Sequence, residues 1–140
     1  MYIDDVSMYT SSAVGFFEYS VEAVEGPGNI YLFTDSSYSN IAEVAQKPLV
    51  YVPNAFTANN NGLNDEFIPS TGFIDIVDYQ FSIFDRWGEE IFTTDDRYTG
   101  WNGRMANGNK CEGGVYVWTL TFKAASGQYI DMVGTVSLIR

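Results

Sequence analysis

The stretch GVYVWTLTFKA, from Gly114 to Ala124, alternates side chains along its whole length. In an extended chain successive side chains point to opposite faces, so Tyr116, Trp118, Leu120 and Phe122 share one face and Val115, Val117, Thr119 and Thr121 the other. A strand carrying that much aromatic bulk on one side must bury it against a second layer. The same alternation recurs in FFEYSVEAV, where Phe17, Tyr19, Val21 and Ala23 oppose Glu18, Ser20 and Glu22, and at Tyr79–Asp85, where Tyr79, Phe81 and Ile83 oppose Gln80 and Ser82. No amphipathic helix of useful length is found.

Between these runs lie turn signals. Glu25–Asn29 (EGPGN) is a turn by composition, and Ser39–Val44 reads as a returning strand. Trp87-Gly88 turns a hairpin into EEIFTT, YTGWNG makes a further turn, and Gly127 leads to a last strand from Tyr129 to Arg140. Ala45–Pro48 (AQKP) reads as a linker, because Pro48 holds the residues before it extended. The expected fold is all-β: an antiparallel immunoglobulin-like sandwich of about seven strands from Leu49 onward. Residues 1–47 are expected to be the last strands of a fibronectin type III-like domain plus linker, and residues 48–140 a second domain. YSVEAVEG followed by SSYSN resembles that fibronectin hairpin.

Charge narrows the function. The net charge is −11, with eighteen acids against seven bases in 140 residues. Up to Val50 seven acids face only Lys47, and beyond it eleven face six bases, so the acidity is distributed. Nucleic acid is disfavoured, since its affinity rests on Lys and Arg neutralising phosphates. An anionic membrane surface is disfavoured for the same reason. No run of eighteen apolar residues offers a membrane span. MYIDDVSMYTSS lacks the basic and apolar regions of a signal peptide, so any export signal is expected upstream of this segment.

Catalytic chemistry has little to work with. Histidine is absent and Cys111 is the only cysteine, which leaves no Ser-His-Asp triad, Cys-His pair or internal disulfide. Glu89-Glu90 and Asp95-Asp96 are adjacent pairs that point to opposite faces of a strand and so form no dyad. Cys111 reads as a small loop residue, with an exposed cross-linking thiol as the other reading. NNNGLND offers a candidate calcium loop: Asn59, Asn61 and Asp65 as side-chain ligands and the Leu63 carbonyl, with Gly62 at the sharp turn. The competing reading is a turn in which the Asn side chains bond the backbone. Trp87 and Trp101 read either as sugar-stacking platforms or as caps on a sandwich core, and the core is favoured for both.

Taken in order, YVPNAFTANNNGLNDEF, FSIFDRWGEEIF, GWNG, GGVYVWTL and VGTVSLIR resemble the gliding motility-associated C-terminal domain. This is the type B C-terminal domain of proteins exported by the type IX secretion system of Bacteroidota. The resemblance runs from Val50 to Arg140 and rests on Val52-Pro53-Asn54-Ala55-Phe56-Thr57, on Asn59, Gly62, Asn64 and Asp65, on Arg86-Trp87-Gly88, on Gly100-Trp101 with Gly103, on Gly114 and Tyr116, and on Gly134, Val136, Leu138 and Arg140. Ala58, Asn60 and Asn61 depart from the family's Pro, Gly and Asp, which weakens the calcium reading. Glu112 stands where a Pro is common.

The resemblance implies a non-catalytic sorting domain that passes through the periplasm and directs an attached cargo across the outer membrane to the cell surface or medium. It implies outer-membrane partners of the type IX system, including a PorP/SprF-like protein. The expected recognition residues are Gly134, Thr135, Val136, Leu138 and Arg140 of the terminal strand, with Arg86, Trp87 and Gly88 of the hairpin turn. If Thr135–Arg140 lies at a sheet edge, its free N–H and C=O groups are open to a partner strand and Arg140 is its anchor. The alternative is a carbohydrate-binding or adhesive module, which needs several Trp side chains on one exposed face. The apolar face of residues 16–24 is a candidate for self-association.

Overall fold

The structure, a computed structural model, describes residues 15–24, 30, 35–72 and 74–140. They carry the strands β1 (Phe16–Tyr19), β2 (Glu22–Val24), β3 (Ser36–Tyr38), β4 (Ala42–Ala45), β5 (Leu49–Tyr51), β6 (Ala55–Thr57), β7 (Ser70–Gly72), β8 (Ile74–Phe84), β9 (Glu90–Thr94), β10 (Gly114–Ala124) and β11 (Tyr129–Ile139). Among the described residues there is no helix.

β10 is the middle of a five-stranded sheet in the order β6-β11-β10-β8-β9. Its alternation works as the sequence implies. Trp118, Leu120 and Phe122 are buried, Tyr116 is half-buried, and Val115 and Val117 on the other face are exposed. Cross-strand register extends this inner face: Leu120 lies opposite Phe81 and Met132, Phe122 opposite Ile130, and Tyr116 opposite Val136. β8 begins earlier than the expected Tyr79 and ends at Phe84. All pairings in this sheet are antiparallel except one, in which β6 runs parallel to β11 through Ala55–Thr57 and Ser137–Ile139.

Facing this layer is the two-stranded sheet β5–β7, from which Val50 packs on the core together with Val52. The space between is filled by rings. Phe56 stacks on Phe67 at 5.8 Å, Trp101 lies 5.3 Å from Phe56, and Tyr116 meets Trp101 edge-on at 4.9 Å. Trp101 is fully buried, as expected for a sandwich cap, and its indole N–H donates to the Arg104 carbonyl at 2.8 Å. A backbone bridge with Phe67 fixes it, since each residue donates its N–H to the other's carbonyl.

The N-terminal residues form an antiparallel ribbon. β1 pairs with β4 from Phe16↔Ala45 to Tyr19↔Ala42, and β2 pairs with β3 from Glu22↔Tyr38 to Val24↔Ser36. The two registers differ by one residue, so Ser39–Ile41 bulges against Ser20-Val21. The single strand expected across FFEYSVEAV is therefore broken at Ser20-Val21, and the strand expected at Ser39–Val44 is split by the bulge. Phe17 and Tyr19 lie opposite Val44 and Ala42, while Glu18 faces Glu43 on the other side. Val21, Val24, Tyr38 and Ile41 are exposed. The turn expected at Glu25–Asn29 lies outside the described residues.

Candidate recognition surface

One end of the sandwich gathers most of the residues singled out in the sequence. It is built by Arg140. The guanidinium donates through Nε to the Cys111 carbonyl at 2.8 Å, through Nη2 to the Gly103 carbonyl at 2.7 Å, and more distantly through Nη1 to the Ala58 carbonyl at 3.5 Å. Ala58 follows β6, whereas Gly103 and Cys111 flank one hairpin in the connection between β9 and β10, so one planar fork ties two loops to β11. Gly103 has φ +73°, and a Cβ there would stand 2.9 Å from the Ala58 Cβ and 3.3 Å from the Leu138 Cδ1. Only glycine satisfies both the left-handed backbone and the close approach.

This geometry corrects the edge-strand expectation. Ser137 and Leu138 pair with Val115 and Gly114 of β10 on one side, Ser137–Ile139 pair with β6 on the other, and Ser137 N–H also donates to the Asn54 carbonyl at 2.9 Å. Val136 and Leu138 are core residues. Short β6 covers only this end, so among the described residues the open stretch of β11 lies earlier, from Tyr129 toward Thr135. Thr135 is exposed there, opposite Val117. The Arg140 side chain, expected as a free anchor, is spent on the protein's own carbonyls.

Gly134 also has a packing reason. It pairs across the ladder with Trp118, and a Cβ at 134 would overlap the indole, lying 2.7 Å from Cε2 and closer still to Cζ2. The ring covers a backbone position where no side chain fits. The Trp118 indole N–H finds no hydrogen-bond partner among the described residues.

The turn from Asp85 to Glu89 is closed by its own aspartate. Asp85 Oδ1 accepts from the N–H of Trp87 at 2.8 Å and of Glu89 at 2.9 Å, while Gly88, at φ +84°, donates to the Asp85 carbonyl at 3.1 Å. This is a type I turn followed by a left-handed glycine, the geometry of a bulged hairpin. It leaves Trp87 85% exposed. The expectation that Trp87 caps the core fails for this reason: the turn carries the side chain away from the sandwich, and the Arg86 guanidinium lies over its ring, 6.0 Å from the centroid. Trp101 and Trp118 are buried, so a face of several exposed Trp side chains, the requirement for a sugar platform, is not formed.

In the Asn59–Asp65 loop the competing turn reading accounts for each candidate side-chain ligand. Asp65 accepts from the N–H of Asn59, Asn60 and Gly62 at 3.1, 2.6 and 2.6 Å. Asn59 Oδ1 accepts from Asn61 N–H, and Asn61 Oδ1 from Leu63 N–H. The oxygens are aimed at backbone donors, whereas a calcium site needs them aimed at one point. Asn60 and Asn64 join Gly62 at positive φ, which lets the chain wrap around the carboxylate.

Cys111 is buried, which corrects the exposed-thiol reading. Burial pushes its thiol pKa up, with Arg140 pulling in the opposite direction. Tyr116 donates its hydroxyl to the Glu112 carbonyl at 2.7 Å. Burial, Cys111 and Glu112 push its phenol up, against Arg140 and Arg86.

Two residues of this end were not singled out from sequence. Lys110 and Met105 belong to a short hairpin in which Arg104 bridges Lys110 and Met105 N–H donates to the Asn109 carbonyl. A signal existed: four of the seven basic residues fall between Arg86 and Lys110. A family model described as CHU_C Type IX secretion signal domain matches residues 50–138. The chain matches no curated protein.

Proposed function

The chain belongs to the family of type IX secretion signal domains, and on that premise we propose that residues 48–140 are a sorting domain recognised, already folded, by an outer-membrane component of the secretion machinery. The family is one of secretion signals, and a sorting role with transit to the cell surface or extracellular space follows from membership. The finer reading is that a large attached cargo reaches the periplasm by another route and is then passed outward through a PorP/SprF-like partner. Residues 1–47 belong to an upstream sandwich domain of that cargo.

The observation that carries this reading is the family match over residues 50–138. Packing and hydrogen bonding divide the labour among the recognition residues. Gly134, Val136, Leu138 and Arg140 act by building and locking the fold, whereas Arg86, Trp87 and Gly88 present an exposed turn. A reporter fused to this chain should reach the surface of a type IX-competent host and remain in the periplasm when the PorP/SprF-like protein is deleted. Equal export in the deletion strain would remove that partner from the account.

A further inference from the structure

The two edges of the five-stranded sheet are not alike. β9 forms one of them, with Glu89 and Glu90 at its start and Asp95 and Asp96 just past its end, all exposed. Charges so placed guard a strand edge against unwanted pairing. The other edge is shared. β6 covers Ser137–Ile139, and beside the stretch of β11 from Ile130 to Thr135 no strand lies among the described residues. Ser137 N–H donates to the Asn54 carbonyl and so faces the β6 side. Backbone groups alternate sides along a strand, so the N–H and C=O of Asp131, Val133 and Thr135 face the same way, out of the open edge. This edge carries no guard. Its one charge, Asp131, is turned across the ladder, where the carboxylate accepts from the Thr121 hydroxyl at 2.7 Å. Both faces beside it are apolar. Ile130 and Met132 pack on the core yet stay half-buried, while Val133 is 71% exposed on the outer face that it shares with exposed Val115 and Val117.

We propose that the outer-membrane partner adds a strand to this edge: an extended, apolar segment that bonds the N–H and C=O groups of Asp131, Val133 and Thr135 and continues the sheet end to end with β6. The inference rests on the sorting reading above and adds a backbone contact to the exposed turn at Trp87. Two features select the occupant. An unpaired ladder accepts only extended backbone, and a strand with apolar neighbours on both faces reads as a continuous apolar run. A second copy of this chain is disfavoured, because it would bring a net charge of −11 against −11 and place a second Asp131 in the ladder.

The test is amide hydrogen exchange, resolved to single residues, on the full 140-residue chain alone and with the purified PorP/SprF-like protein in detergent. The amides of Asp131, Val133 and Thr135 should exchange fast in the free chain and slow by about tenfold or more in the complex. Val133→Pro removes one edge-facing N–H that β10 does not use, which an edge strand tolerates, and it should weaken binding about tenfold or more. Val133→Thr keeps both the N–H and the β-branch and should bind within about twofold of the wild type. Circular dichroism checks that each variant stays folded, and the exchange comparison on the wild type stands even where Val133→Pro does not fold. Binding without added protection of Ile130–Thr135 overturns the edge inference and leaves the sorting reading in place. Protection that grows with concentration in the free chain overturns it too, since the occupant is then a second copy. No binding by the folded wild type overturns the partner reading and this inference with it.

Discussion

The indole of Trp118 lies across the backbone of Gly134, its cross-strand partner, so closely that a β-carbon at 134 would sit 2.7 Å from Cε2. A glycine inside a central ladder normally weakens it, and here the ring supplies the missing packing. Gly134→Ala must push a rigid ring, not a flexible chain end. The expected cost is about 2 kcal/mol, the range of overpacked cores. Combining it with Trp118→Leu should cost less than the sum of the two single changes, read by denaturant unfolding in a double-mutant cycle. Simple additivity would show that ring and glycine do not oppose each other.

Arg140 ties two loops, through three carbonyls, to the last strand. Arg140→Lys keeps the charge and loses the fork, so it should destabilise nearly as much as Arg140→Gln, by about 2 kcal/mol. Urea unfolding of the two variants checks this. Full rescue by lysine would mean that charge, and not the geometry of the carbonyl contacts, is what matters at this position.

The Asn59–Asp65 loop closes on its own carboxylate. Asp65→Ala gives three exposed backbone N–H donors over to water and should cost about 1 kcal/mol. Calcium at millimolar concentration should leave the wild-type melting temperature unchanged, as a loop whose oxygens are engaged has no site to fill. A calcium-dependent rise that disappears in Asp65→Ala would reinstate the metal reading.

How legible was all this? Strand β10 and the inner face of β8 could be read directly, because alternation is a local property and every side chain obeys it. Trp101 was readable as core for its bulk between two glycines. Trp87 was not: a tryptophan at a turn looks the same in sequence whether the turn folds over the core or away from it, and Asp85 and Gly88 decide that. The terminal strand was recognised, but its neighbour was not. Three residues from Ala55 to Thr57 pair in parallel from some eighty positions away, with no pattern of their own. The Arg140 cradle consists of backbone carbonyls, to which residue identity gives no clue.

The N-terminal ribbon offers the remaining surface. With Phe17 and Tyr19 opposite Val44 and Ala42, Glu18 opposite Glu43, and Val21 exposed, a two-stranded ribbon is marginal by itself. We propose that it self-associates through the apolar face, leaving the acids in solvent. Light scattering should show a mass that rises with concentration and returns to the monomer in Val21→Asp. A monomeric mass at every concentration excludes this pairing.

The most direct measurement follows a periplasm-directed fluorescent reporter carrying Met1–Arg140 at its C-terminus in a type IX-competent Bacteroidota host, beside the same fusion with Trp87→Ala. Because Trp87 is 85% exposed, its loss should leave the fold within about 0.5 kcal/mol of the wild type. The account predicts surface or medium fluorescence for the wild type, none in a secretion-deficient strain, and periplasmic retention of a correctly folded Trp87→Ala fusion. Wild-type fluorescence held in the periplasm, with the domain folded, would contradict the assignment of this chain as an export address.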